Sequence, residues 1–295
     1  MLKFFKKYWI IILFVMIFVI GLLIFLYPFI SNFINERLQT KEVSEYDVKI
    51  QKLTNDEYNL MIRKAQEYNN LLLSGTLEEN TEKADERGYY DLLSLDDSGI
   101  MGYLTIDKIK VELPIYHTVS ETVLNSSVGH LEGTSLPIGG KGTHSVLSAH
   151  RGLPSAKLFT ELDKLEIGDT FKITILDETH VYKVDKISIV KPNDRNELKI
   201  NKDNDYITLL TCTPYGINTH RLLVRGGRIQ GDIKKDYITT EGFKVNRLIV
   251  MPIIALPIIA LLLIVLLIKP VKRVNINKYE KYLYPNGKDF HGGKI

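Results

Sequence analysis

Thr208-Leu209-Leu210-Thr211-Cys212-Thr213-Pro214-Tyr215-Gly216 holds the one cysteine of the 295-residue chain. A threonine-rich apolar run leads into Cys212, and Pro214, Gly216 and Asn218 follow it, the pattern of a β-strand that ends in a turn. A lone cysteine has no internal disulfide partner, so it is either a packed thiol or a nucleophile. If the chain returns as a second strand after the turn, Cys212 and Arg221 flank a hairpin and pair across it. Opposed residues of an antiparallel ladder share a face. Side chains alternate along a strand, so His220 then points away from the thiol. Arg221 taken alone reads as a solvated strand residue. Beside the only thiol, its planar fork of donors suits stabilisation of a developing negative charge.

The surrounding residues 99–229 carry short runs rich in Val, Ile, Thr and Tyr, separated by Gly, Pro, Asn and Asp. Strands are expected at 102–106, 111–116, 144–148, 170–176, 180–190, 206–212 and 221–229. A short helix is expected over 155–165, with Leu158, Leu162 and Leu165 as its apolar stripe. Seven or eight strands in this length argue for a closed or nearly closed β-barrel. His150 follows the run His144-Ser145-Val146-Leu147-Ser148-Ala149 and precedes Arg151-Gly152-Leu153-Pro154. It therefore stands where a strand gives way to a loop. Taken alone it reads first as a surface histidine, yet a thiol nucleophile needs a base or cation beside it, and His150 is the candidate.

Two apolar segments bracket this region. Residues 8–30 are uncharged and preceded by Lys3, Lys6 and Lys7; residues 248–268 are uncharged and followed by Lys269, Lys272 and Arg273. Each exceeds the ~18 residues that mark a membrane-spanning helix. The first is longer than a signal-peptide core, and no Ala-x-Ala site follows, so an uncleaved anchor is expected. Basic clusters outside both spans put both termini in the cytoplasm and residues 31–247 outside the cell. Between them, residues 54–73 read as a helix opened by the capping box Thr54 and Glu57. The charged stretch 74–88 reads as a loop. A net charge of +3 gives no case for nucleic-acid binding. There is no phosphate loop and no metal-ligand spacing, so neither a cofactor nor a metal is expected.

Taken together, the run from Thr208 to Cys212, followed by His220-Arg221-Leu222-Leu223-Val224-Arg225-Gly226, closely resembles the signature of sortases, the cysteine transpeptidases of Gram-positive bacteria. Three longer runs resemble class C, the pilin-polymerising type. They are Leu113-Pro114-Ile115-Tyr116-His117, the stretch from Gly129-His130-Leu131-Glu132 to Leu136-Pro137, and the stretch from Ser148-Ala149-His150-Arg151 to Leu158-Phe159. The resemblance implies an eight-stranded sortase barrel between two membrane helices, with His150, Cys212 and Arg221 as the catalytic residues. It implies pilin subunits with Leu-Pro-x-Thr-Gly-like sorting signals as partners. The implied organisation is a cytoplasmic end and first span (1–30), a stalk, helix and loop (31–98), the barrel (99–232), a linker (233–247), a second span (248–268) and a cytoplasmic tail (269–295).

One departure stands out. Class C members commonly carry a lid with an Asp-Pro-aromatic motif, whereas residues 74–98 contain no proline. That stretch is expected not to plug the site, although Tyr89 and Tyr90 can still reach it. Three other readings stay open: a sortase that anchors surface proteins to peptidoglycan, a membrane thiol protease, and a non-catalytic pilus-assembly scaffold with Cys212 as a packed thiol.

Overall fold

The computed structural model describes residues 2–75, 88–96, 98–229 and 233–234. Residues 235–295, with the expected second span and tail, lie outside the described residues, as do residues 76–87 of the loop.

Two helices precede the barrel. Helix α1 runs over Leu2–Ile50 without a break at Pro28. Its stretch Leu13–Ile50 is the one segment among the described residues long and apolar enough to cross a membrane. The helix outlasts the expected span by about five and a half turns, and its last part has a different role. Val43, Tyr46 and Ile50 are buried in the barrel core. The Tyr46 hydroxyl donates to the Met101 carbonyl and accepts from the Leu176 amide, both at 2.9 Å. Helix α2, Asn55–Leu73, begins as the sequence requires: Thr54 Oγ1 accepts from the Glu57 amide, and the Glu57 carboxylate accepts from the Thr54 amide. Ala65, Tyr68, Asn69 and Leu72 line its buried stripe.

The strands are β1 (Ile100–Ile106), β2 (Val111–His117), β3 (Val128–His130), β4 (Thr143–Ser148), β5 (Thr170–Ile175), β6 (Glu178–Val190), β7 (Asp205–Thr213) and β8 (His220–Arg228). A short helix α3, Glu121–Leu124, lies in the β2–β3 connection. The order is β5-β1-β2-β3-β4-β7-β8-β6, and the β5–β6 pairing closes the barrel; the two-residue β9 (Ile233–Lys234) extends β6. Closure leaves the eight strands few exposed edges, which suits a mainly β domain of this size. Two pairings are parallel, β2 with β3 and β4 with β7.

The expected helix over 155–165 does not form. Only the single turn Leu162–Lys164 is helical, because Leu158 adopts φ +40°, outside the helical region. Leu158, Leu162 and Leu165 are nevertheless buried. Hydrophobic demand thus places the stripe without helical geometry.

Candidate active site

The hairpin β7–β8 sets the site. Its register pairs Cys212 with Arg221 and Thr213 with His220. Along β7, Thr211 and Thr213 are buried while Leu210 and Cys212 are half-buried, so the latter two share the outward face. The turn is tight: the amides of Ile217 and Asn218 both donate to the Pro214 carbonyl, at 3.1 and 3.0 Å.

His150 reaches the same place by a parallel seam. Strand β4 runs beside β7 with Ser148 opposite Leu210. The seam continues past β4: the Ala149 amide donates to the Leu210 carbonyl at 3.2 Å, and Thr211 Oγ1 donates to the Ala149 carbonyl at 2.8 Å. The next residue, His150, therefore arrives level with Cys212. His150, Cys212 and Arg221 all line one cleft of about 290 Å³. Its walls are otherwise mostly apolar, with Val119 and Leu124 from the β2–β3 connection, Val190 and Pro192 from the end of β6, and Leu210 and Leu223 beneath.

The loop after His150 is braced against the hairpin tip. The Phe159 amide donates to the His150 carbonyl at 3.1 Å. Arg151 pairs with Asp163, its Nη1 donates to Thr213 Oγ1 at 3.4 Å, and its guanidinium lies 5.9 Å from the centre of the Tyr215 ring. Gly152 adopts φ +80°, and a Cβ there would sit 2.9 Å from the Tyr215 ring. A glycine lets the His150 loop and the Cys212 hairpin touch. Arg221 Nη1 donates to the carbonyls of Asn218 (3.3 Å) and His220 (3.2 Å), which holds the guanidinium over its own turn. His220 is turned away from this face and its Nδ1 lies 3.0 Å from Thr219 Oγ1.

The sequence-based candidates thus meet in one cleft, and His220 stays outside it. Two charged cleft residues had no sequence signal. Asp194 and Arg195, in the β6–β7 connection, line the opening. The turn pattern Lys191-Pro192-Asn193 places a loop there, but nothing local says which cavity it faces.

A second polar cluster lies elsewhere. Tyr89 is fully buried against Tyr68, His117 and His130, so it does not enter the Cys212 cleft. His130 Nε2 lies 2.9 Å from the Ser135 carbonyl and therefore donates, leaving Nδ1 to accept from the Tyr89 hydroxyl at 2.7 Å. Burial pushes the His130 imidazole down to about 4. His117 is set between the Leu92 and Gly99 carbonyls at 2.8 and 3.0 Å, and burial also lowers its pKa.

Comparison with known proteins gives this arrangement a family. The sortase domain family matches residues 104–229. Sortase C1 of Streptococcus agalactiae is 47% identical, with a TM-score of 0.62 over 65% of this chain and 100% of that one. Clostridium perfringens sortase C, solved with the C-terminal cell wall sorting motif, is 46% identical, with a TM-score of 0.58 over 65% of this chain and 100% of that one. Sortase A of Bacillus anthracis is 28% identical over 142 residues, covering 48% of this chain and just under two thirds (66%) of that protein. The chain belongs to the sortase family. Sortases are cysteine transpeptidases, and its solved neighbours are those of class C.

Proposed function

We propose that the chain is a membrane-anchored pilin-joining sortase that works through Cys212, His150 and Arg221. The observation that carries this reading is the pairing of Cys212 with Arg221 on a cleft that also receives His150. The substrate is a peptide with a Leu-Pro-x-Thr-Gly-like motif, whose Leu and Pro suit the apolar walls. The Cys212 thiolate attacks the threonine carbonyl carbon, and the carbonyl π electrons move to oxygen. Arg221 donates to that oxyanion or to the adjacent peptide carbonyl. Collapse breaks the Thr–Gly C–N bond, and the His150 imidazolium gives its proton to the departing glycine amine. The thioester remains on Cys212. A lysine amine of the next pilin then attacks it, His150 takes the proton, and an isopeptide bond forms as the thiolate leaves. Docking of the acceptor raises the effective molarity of its amine over that of water.

The apolar stretch of α1 supports an anchor, with residues 31–247 facing outward by the charge rule. The test is mass spectrometry of the full-length chain in detergent. A motif peptide is expected to add its acyl part to Cys212, and a pilin with a free lysine to discharge it as an isopeptide. Discharge by a cell-wall precursor amine alone supports peptidoglycan anchoring. Hydrolysis alone supports a thiol protease, and no adduct supports the scaffold reading.

A further inference from the structure

The cleft does not end at its apolar wall. A smaller hollow of about 70 Å³ adjoins it, and Leu131, Leu198 and Arg195 line both. Those three residues form a neck. Beyond it the hollow is lined by Glu132, Thr134 and His144, among others.

The β4–β7 register gives the direction and length of the combined groove. The main cleft is lined by Cys212 and Leu210 on β7. The hollow is lined by His144, which is paired with Tyr206. From Cys212 back to Tyr206 is six strand positions, about 20 Å at ~3.3 Å per residue. The four acyl residues of a Leu-Pro-x-Thr segment, extended from the thiol, span only about 13 Å. A motif laid from Cys212 toward Tyr206 brings the residues just before its leucine past the neck and into the hollow.

The one cation that lines both the neck and the hollow is Arg195, with the carboxylates of Glu132 in the hollow and Asp194 in the main cleft beside it. The ring nitrogens of His144 face the Lys199 carbonyl (3.0 Å) and Thr208 Oγ1 (2.8 Å), so this residue is occupied. Glu132 accepts from the Tyr90 hydroxyl at 3.3 Å, and Asp194 accepts from the Asn196 amide at 3.0 Å. Arg195 is exposed and forms no ion pair among the described residues. A planar guanidinium left in this state suits a carboxylate.

We propose that the hollow is a further peptide-binding site, in which Arg195 selects an acidic side chain at the position before the motif's leucine. This rests on the proposed function, because the motif sets the position counted from Cys212.

The test uses the full-length chain in detergent and synthetic motif peptides with Glu, Gln or Lys at that position, cleaved in the presence of hydroxylamine. Each is compared with a peptide capped at the leucine. The Glu peptide is expected to exceed the Lys peptide about five-fold in kcat/KM, the scale of one exposed charge pair. The preference should fall as salt rises. Arg195→Glu is expected to invert the ratio, and Arg195→Gln to remove it. The ratio is internal to each variant, so partial loss of active protein does not affect it. Equal cleavage of all the peptides, unchanged in Arg195→Glu, overturns the site and leaves the proposed function standing. No cleavage of any motif peptide overturns both.

Discussion

Two groups of polar side chains in this barrel meet opposite fates. In the Tyr89–His117–His130 cluster both His130 nitrogens and the Tyr89 hydroxyl are paired, the neutral His117 ring donates its one N–H to a backbone carbonyl, and the tyrosine and both histidines are buried. In the cleft, Cys212 is half-buried and free, and the His150 imidazole makes no hydrogen bond among the described residues. Buried polar groups are tolerable when each is satisfied, and a satisfied group has no capacity left for a ligand. Reactive groups need the reverse: unspent donors and acceptors, held in place by other residues. Here the placing is done by the β4–β7 seam, the β7–β8 register and the Arg151–Asp163 brace. Under the proposed function, the comparison assigns stability to the cluster and chemistry to the cleft.

The sharpest way to break that division is to remove the thiol. Cys212→Ala is expected to lower motif cleavage by at least ~10⁴-fold, as loss of a nucleophile does in other acyl-transfer enzymes, and to leave the unfolding midpoint near that of the parent. His150→Ala should be comparably inactive. Peptide-cleavage kinetics beside thermal unfolding decide it; a large loss of stability in either variant would erase the contrast.

Arg221→Lys comes next. It keeps the charge and loses the fork, so a fall of roughly 10²–10³ in kcat is expected with stability unchanged. Turnover close to the parent's would mean that charge alone suffices there.

The cluster is probed by His130→Ala, which orphans the Tyr89 hydroxyl and the Ser135 carbonyl. A loss of about 3 kcal/mol in denaturant unfolding is expected, with kcat/KM per folded molecule little altered. The same residue sets a pH dependence. Its folded pKa near 4 lies below the ordinary value near 6.5. Between these values the unfolded chain binds the proton that the folded chain refuses. Stability is therefore full above pH 6.5 and falls as pH drops toward 4, by on the order of 3 kcal/mol from this residue. His130→Gln keeps an acceptor and a donor without titrating, and its stability should decline less over that window.

The smallest effect is expected from His220→Ala, within a few-fold of parent activity, since His220 faces away from the thiol. A loss matching that of His150→Ala would reverse the assignment of the two histidines.

The barrel was largely readable in advance because its strands are short runs rich in Val, Ile, Thr and Tyr bounded by Gly, Pro, Asn and Asp. Val128-Gly129-His130 escaped notice: three residues with a glycine give no period to detect, and only pairing on both sides makes them a strand. The helix expected over 155–165 failed because periodicity reports burial, and Leu158 reaches the core through a positive φ instead. In the site, the Cys212–Arg221 pairing is local and followed from hairpin geometry. Arg195 was invisible, since it lies in the β6–β7 connection and nothing local says which cavity that loop faces. The histidines looked scattered in sequence, and only the meeting of β2, β3 and the segment at Tyr89 gathers His117 and His130.

The parallel seam between β4 and β7 also bears on when the centre comes into being. Ala149 and Thr211 are 62 residues apart, and parallel neighbours cannot be joined by a short hairpin. Closing so large a loop costs entropy before any contact rewards it, so such pairings form slowly relative to local hairpins. The β7–β8 hairpin, carrying Cys212 and Arg221, can assemble on its own early. The histidine joins only once the remote seam has zipped. Until then the newly made chain holds its thiol without His150 beside it, so under the proposed function reactivity arrives together with the completed barrel.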